Sequence, residues 1–196
     1  MPEFVNKGSA ISGGNDMAAA KVIDYQEVAE AQPRHPEIRP GKSYFMRASD
    51  ENKEALAFLQ AYSGNGMRKS FKGAVLYSRR PRDLLEKEGY HFKDTKVRWM
   101  TTNKDESAIM PTDISKISQA IKDELDAEML VVINASEYII TQNGEENGFD
   151  CFLKLAQYLS DVASVSKGAL VISADPVALE EQETRLVLRT ACVGEI

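Results

Sequence analysis

Phosphoryl transfer is the first chemistry to test against this chain, because it asks for the most recognisable residues. A phosphate loop needs G-x-x-x-x-G-K-[ST]: glycines let backbone N–H groups wrap the phosphates, the lysine neutralises charge, and the hydroxyl holds magnesium. The nearest stretch is Ser63-Gly-Asn-Gly-Met-Arg-Lys-Ser70. Its glycines are wrongly spaced. It also follows a segment of helical periodicity, where a phosphate loop must follow a strand and open a helix. It reads as a plain loop. The second requirement is an acid at the end of an apolar strand, to position magnesium. The apolar run Met129–Ile133 ends instead in Asn134, a neutral amide. Glu137 follows shortly after, and the dipole of a helix first turn accounts for an acid there. Asn134 and Glu137 are therefore the positions of a degenerate metal site. No catalytic residue, no nucleotide hydrolysis and no cofactor are expected.

A basic group offers different chemistry. Arg79, Arg80 and Arg82 fall where a predicted strand gives way to a helix opened by Pro81. Free N–H groups and guanidiniums converging at such a junction suit an anion. Arg68, Lys69 and Lys72 are near in sequence and can extend the patch. The alternative is a solvated positive loop on an acidic protein. Metal and nucleophile chemistry find less support. His35 and His91 stand apart, and Cys151 and Cys192 are far from each other, so no metal-ligand spacing exists. No Gly-x-Ser-x-Gly elbow occurs. Asp113 and Asp175 are explained as helix caps, and Tyr44, Trp99 and Tyr138 as core aromatics.

The composition fits an ordinary globular protein, with 196 residues, 43% hydrophobic and 28% charged. A net charge of -6 does not favour nucleic acid as a partner. Two cysteines are too few for a disulfide-stapled secreted domain. No apolar run approaches the ~20 residues needed to cross a bilayer, and no basic-then-apolar signal opens the chain. The expected location is the cytoplasm, with no membrane contact.

The elements that must position these residues begin late. Residues 1–16, MPEFVNKGSAISGGND, are small, polar and aperiodic, and read as an expression-vector remnant. Residues 17–41 form an N-terminal extension, with a short helix near Val22–Ala31 and a linker broken by Pro33, Pro36 and Pro40. Residues 42–196 form a single α/β domain. Predicted strands are Ser43–Arg47, Gly73–Ser78, Thr95–Met100, Met129–Ile133 and Ala169–Ser173. Predicted helices are Asp50–Ser63, Pro81–Glu88, a long helix capped near Asp113 and running to Ala127, Phe149–Ala163, and a last one opened by Asp175-Pro176. Leu186–Leu188 is either a strand or a continuation of that helix. Met129–Ile133 is apolar without alternation, the mark of a central parallel strand buried on both faces. The alternation predicts a three-layer α/β/α fold around a mostly parallel sheet of about five strands, RecA-like or Rossmann-like. Ligands in such sheets meet the carboxyl ends of strands at a reversal of strand order. The loops after Arg47, Ser78, Met100, Ile133 and Ser173 are therefore the ones to watch.

Three of those loops carry a resemblance. VRWMTTNKDESAIMPTDISKIS, MLVVINASEYIITQNGEENGF and ISADPVALEE, in that order and spacing, resemble the mainly archaeal family known as domain of unknown function 835, over roughly Lys42–Arg189. The resemblance implies a RecA-like, P-loop-type fold lacking a working phosphate loop. It also implies association with sensory and receiver modules of prokaryotic signalling proteins, and a likeness to the sensory domain of a methylotroph regulator. The family strand usually ends in Asp-Gly before Leu-Glu-Tyr; this chain has Asn134-Ala-Ser-Glu-Tyr138 there, and inserts Asn143-Gly-Glu-Glu146 before Asn147-Gly-Phe149. The function expected is that of a non-enzymatic signalling or interaction domain. Its partners would be other signalling proteins or domains, a second copy of the chain among them. The alternatives are a nucleotide or phosphate sensor that binds without turnover and, behind it, a residual NTPase.

Overall fold

Short β-rich segments that are apolar on both sides cannot face water, so they pair with one another and accept helices on each face. The computed structural model describes residues 37–48, 53–64, 70–103, 105, 108–144, 146–175, 177 and 179–196. The predicted extension and linker up to Pro36, and with them His35, lie outside the described residues. The compact unit spans His35–Ile196.

In chain order the elements are β1 (Ser43–Arg47), α1 (Lys53–Gly64), β2 (Ala74–Ser78), α2 (Arg82–Lys87), β3 (Thr95–Trp99), α3 (Ile114–Asp126), β4 (Leu130–Asn134), α4 (Ser136–Gln142), α5 (Gly148–Val165), β5 (Ala169–Ala174) and α6 (Glu181–Ala191). The five strands form one sheet in the order β1-β5-β4-β2-β3, and every pairing is parallel. Each predicted strand is present to within a residue. The fold is α/β in three layers. One core joins alternate strand residues such as Val75, Tyr77, Val131, Ile133 and Ile172 to Ile117, Ile121 and Leu125 of α3, Ile139 of α4, Phe152 and Leu159 of α5 and Val187 of α6. The opposite core joins Leu76, Val132 and Val171 to Leu56, Leu59 and Tyr62 of α1 and Leu85 of α2. The outer edge of β1 is covered by the chain's last residues: Val193 N–H donates to Ser43 O, Phe45 N–H to Gly194 O and Ile196 N–H to Phe45 O, which satisfies an edge that would otherwise offer free backbone groups.

Helix starts follow local chemistry, with one departure. The Asp113 carboxylate accepts from Lys116 N–H at 3.0 Å and opens α3. Pro81 stands at the N-cap of α2, and Gly89 takes φ +94 just beyond its end. Asp175, however, does not cap the last helix. Its carboxylate accepts from Val177 N–H at 2.8 Å, which closes a tight turn. The helix waits until Glu181, where Glu180 and Glu183 form a reciprocal capping box; satisfying two donors at once, that cap outcompetes a single Asp. Leu186–Leu188 is helical. A separate short helix, α4, stands between β4 and α5 with Glu137 in its first turn, where the helix-dipole reading of that acid puts it.

The α4–α5 junction is close enough to exclude a side chain. A Cβ on Gly148 would lie 2.0 Å from the Ile140 carbonyl oxygen, which is backbone. Gly148→Ala should therefore destabilise the domain by about 1–3 kcal/mol, the range for forced overpacking, read from the midpoint of denaturant unfolding.

Candidate binding site at the carboxyl edge of the sheet

Strand order fixes where a site can form. From β2 the chain turns to α2, in the α1/α2 layer. From β4, the hydrogen-bonded neighbour of β2, it turns to α4 in the opposite layer. Two adjacent strands whose connections leave to opposite faces open a crevice at their carboxyl ends.

The strand termini there make a transverse row. Ser78 pairs with Asn134 on one side and with Trp99 on the other, and Ser173 pairs with Met46. Asn134 continues the Ile133–Ile172 register by one residue and so lies beside Ser173. The row across the sheet is Met46, Ser173, Asn134, Ser78, Trp99. Its three central members are polar and deeply buried, at 0%, 5% and 2% exposure for Ser173, Asn134 and Ser78. By alternation they share the face of Leu76, Val132 and Val171. The Ser78 hydroxyl accepts from Arg80 N–H at 3.0 Å. Among the described residues Asn134 Oδ1 is buried with no hydrogen-bond partner, and so is Ser136 Oγ two residues on. Folded chains leave few such atoms unpaired, and each costs about 1–3 kcal/mol.

The predicted anion-binding arginines start from one loop and diverge. The Arg79 guanidinium lies over the Tyr138 ring, 5.0 Å from its centroid. Arg80 pairs with Glu88 at 2.7 Å. Arg82 pairs with Glu86 at 2.7 Å and donates to the carbonyls of Thr95 and Phe92, which draws it toward the amino end of β3. Of the three, Arg79 alone has no acidic partner among the described residues, and it is exposed. Most of the glycine-containing stretch after α1 lies outside the described residues.

Side chains tie the loops of this edge together. Trp99 Nε1–H donates to the Arg79 carbonyl at 3.1 Å. Thr102 N–H donates to the Tyr138 hydroxyl at 3.2 Å. Asp175 N–H donates to Glu137 Oε1, so the second degenerate-site residue holds the loop after β5. Of the three aromatics expected in the core, Tyr44 is buried there, whereas Trp99 and Tyr138 are half-buried at the rim of this edge. Ser78 and Ser173 were invisible as site residues in the sequence; only their strand-end positions pointed to them.

Other chemistry is sparse. No group of three or more His, Cys, Asp and Glu able to hold a metal occurs among the described residues. His91 is exposed. Both cysteines are free and half-buried, and burial pushes the Cys192 thiol up to about 12, which leaves it protonated and a poor nucleophile at neutral pH. No helix among the described residues is long and apolar enough to cross a membrane.

Fold and site together define a parallel α/β domain with a buried polar row at its point of strand-order reversal. The chain belongs to the family described as Protein of unknown function (DUF835), whose model matches residues 49–190. Among solved structures it is similar to that reported as "Structural study of Project ID PH0250 from Pyrococcus horikoshii OT3", with a TM-score of 0.56 and 12% sequence identity, covering 82% of this chain and 84% of that one. At that identity the likeness is one of fold alone. No curated protein matches the chain.

Removing the Glu137 carboxylate strips Asp175 N–H of its acceptor. Glu137→Ala should lower stability by about 1–3 kcal/mol, the cost of one orphaned donor, and hydrogen exchange should show the Asp175 amide opening faster while β4 stays protected.

Proposed function

We propose that this domain serves a prokaryotic regulatory system as a non-enzymatic module. It binds a small ligand in the crevice between β2 and β4 without turning it over, and passes the bound state on by contact with other signalling proteins or domains. The supporting observation is Asn134. It occupies the strand-end position where phosphoryl-transfer sites place an acid, beside two buried serines, with its carbonyl oxygen lacking a partner. A carboxamide neither gives nor takes a proton near neutral pH, and it carries no charge to hold a divalent cation. It does recognise hydrogen-bond donors. A buried amide set among hydroxyls is thus suited to recognition and poorly suited to catalysis. The likeness to the family's signalling associations supports the regulatory setting.

The test joins stability to ligand response. Purified protein is melted with nucleotides, cyclic dinucleotides, sugar phosphates, carboxylates and divalent metals. A ligand present at a hundred times its Kd should stabilise by about 2.7 kcal/mol. Asn134→Leu replaces an unpartnered polar group by an apolar one of similar size, so it should leave intrinsic stability unchanged or raise it by about 1–2 kcal/mol. The same variant should lose the ligand response. If wild-type melting does not move with any compound, the ligand half of this proposal fails and only partner contact is left. If Asn134→Leu unfolds the domain, Asn134 is structural and the site assignment falls.

A further inference from the structure

The charge inventory of the crevice narrows what it can hold. Among the described residues, the polar row itself is neutral, and the two carboxylates at this edge are engaged by backbone donors, Glu137 by Asp175 N–H and Asp175 by Val177 N–H. The loop leaving Ser78 supplies one guanidinium without an acidic partner, that of Arg79, poised on the Tyr138 ring at the rim. Arg80 and Arg82 are engaged by Glu88 and Glu86. Adjacent strands are about 4.8 Å apart, so the three polar strand ends span roughly 10 Å. A magnesium-bound triphosphate calls for several converging N–H groups, a lysine and a metal-bearing acid, and Asn134 stands in the acid's place. An uncharged ligand would give Arg79 no partner. Asn134 Oδ1, buried and without a partner among the described residues, accepts hydrogen bonds and so calls for a donor on the ligand.

We infer that the ligand is a compact organic anion bearing a hydroxyl or amino donor, a phosphate monoester or a hydroxy- or amino-carboxylate. Its anionic group meets Arg79 and its donor reaches Asn134 Oδ1. This rests on the binding reading of the same crevice and adds the class of ligand. Guanidinium and carboxylate or phosphate match in charge and planar geometry, and Arg79 exchanges the face of Tyr138 for the anion.

The chain carries its own reporter. Trp99 is the one tryptophan, and its indole N–H is bonded to the Arg79 carbonyl, so occupancy at Arg79 should alter its emission. Wild-type protein would be titrated with ribose 5-phosphate, adenosine monophosphate, glycerate, uncharged ribose and magnesium-ATP, following Trp99 fluorescence and, independently, calorimetric heat. At least one of the three small anions should give a saturable response tenfold or more tighter than ribose or magnesium-ATP. Which of them responds distinguishes a phosphate ester from a carboxylate. Arg79→Ala, checked for an unchanged far-ultraviolet spectrum, should weaken that binding at least tenfold by calorimetry, and Asn134→Leu should abolish it. Preference for ribose or magnesium-ATP, or affinity unchanged in Arg79→Ala, would overturn the anion assignment while leaving a binding crevice in place. Silence toward all five compounds, with melting shifts from the wider panel, overturns it in the same way. Silence in both experiments removes the binding reading as well.

Discussion

A parallel sheet covered on both faces has no dry-to-wet boundary along its strands, and most of this molecule follows from that. Every residue of β2, β4 and β5 is buried. An interior polar side chain would need a partner inside the core, and there are few. Polar chemistry is pushed to the strand ends, where the backbone leaves the sheet. Right-handed crossovers then decide which end matters. Because β2 and β4 are neighbours whose connections leave to opposite layers, no helix can roof both carboxyl ends at once. The polar row lies in the one place that topology leaves for it.

The loops around that row are held by a small set of side-chain links. Tyr138 contributes its ring to Arg79 and its hydroxyl to Thr102 N–H. Trp99 fastens the loop after β2 to the end of β3, and Glu137 reaches across to the loop after β5. Two of these residues sit on α4, a helix of seven residues that buries little beyond Ser136 and Ile139. Its contribution is to aim Glu137 and Tyr138 at neighbouring loops more than to fill the core. That division of labour joins packing to function: the sheet supplies rigidity, and a short helix couples the loops that a ligand or partner would touch.

The strands were legible because a buried parallel strand is a continuous apolar run, visible without knowing its neighbours. The stripe of α3 and its Asp113 cap were legible for the same local reason. The start of α6 was not, because two caps compete there. Asp175 is the stronger N-cap residue type in isolation, yet its carboxylate is spent on Val177 N–H and its own N–H on Glu137. Those partners are fixed by tertiary structure. The site was half legible. Asn134 announced itself as an amide where an acid was expected, and the arginines as a basic loop. Ser78 and Ser173 could not, because their adjacency to Asn134 exists only in the lateral register of strands far apart in the chain. The divergence of Arg79 from Arg80 and Arg82 was equally hidden, since it depends on which acids α2 presents.

Unpartnered buried atoms are not by themselves a sign of function, and this chain contains the comparison. Thr184 Oγ1 is also buried without a partner among the described residues, and the Tyr77 hydroxyl is buried beside the Arg98 guanidinium. Tyr77, though, lies mid-strand in register with Arg98, which pairs with Glu124 at 2.7 Å, and burial raises its phenol well above the usual range. It is a polar tip at the end of a large core side chain, and the ring's burial offsets the loss. Asn134 has no such compensation, because its side chain is almost all amide. Leucine at that position would fill similar space without the penalty. A cost of about 1–3 kcal/mol is a large fraction of the 5–15 kcal/mol that typically holds a domain together. With Ser136 repeating it two residues on, this pair of unsatisfied groups at the reversal of strand order is better explained by recognition than by packing.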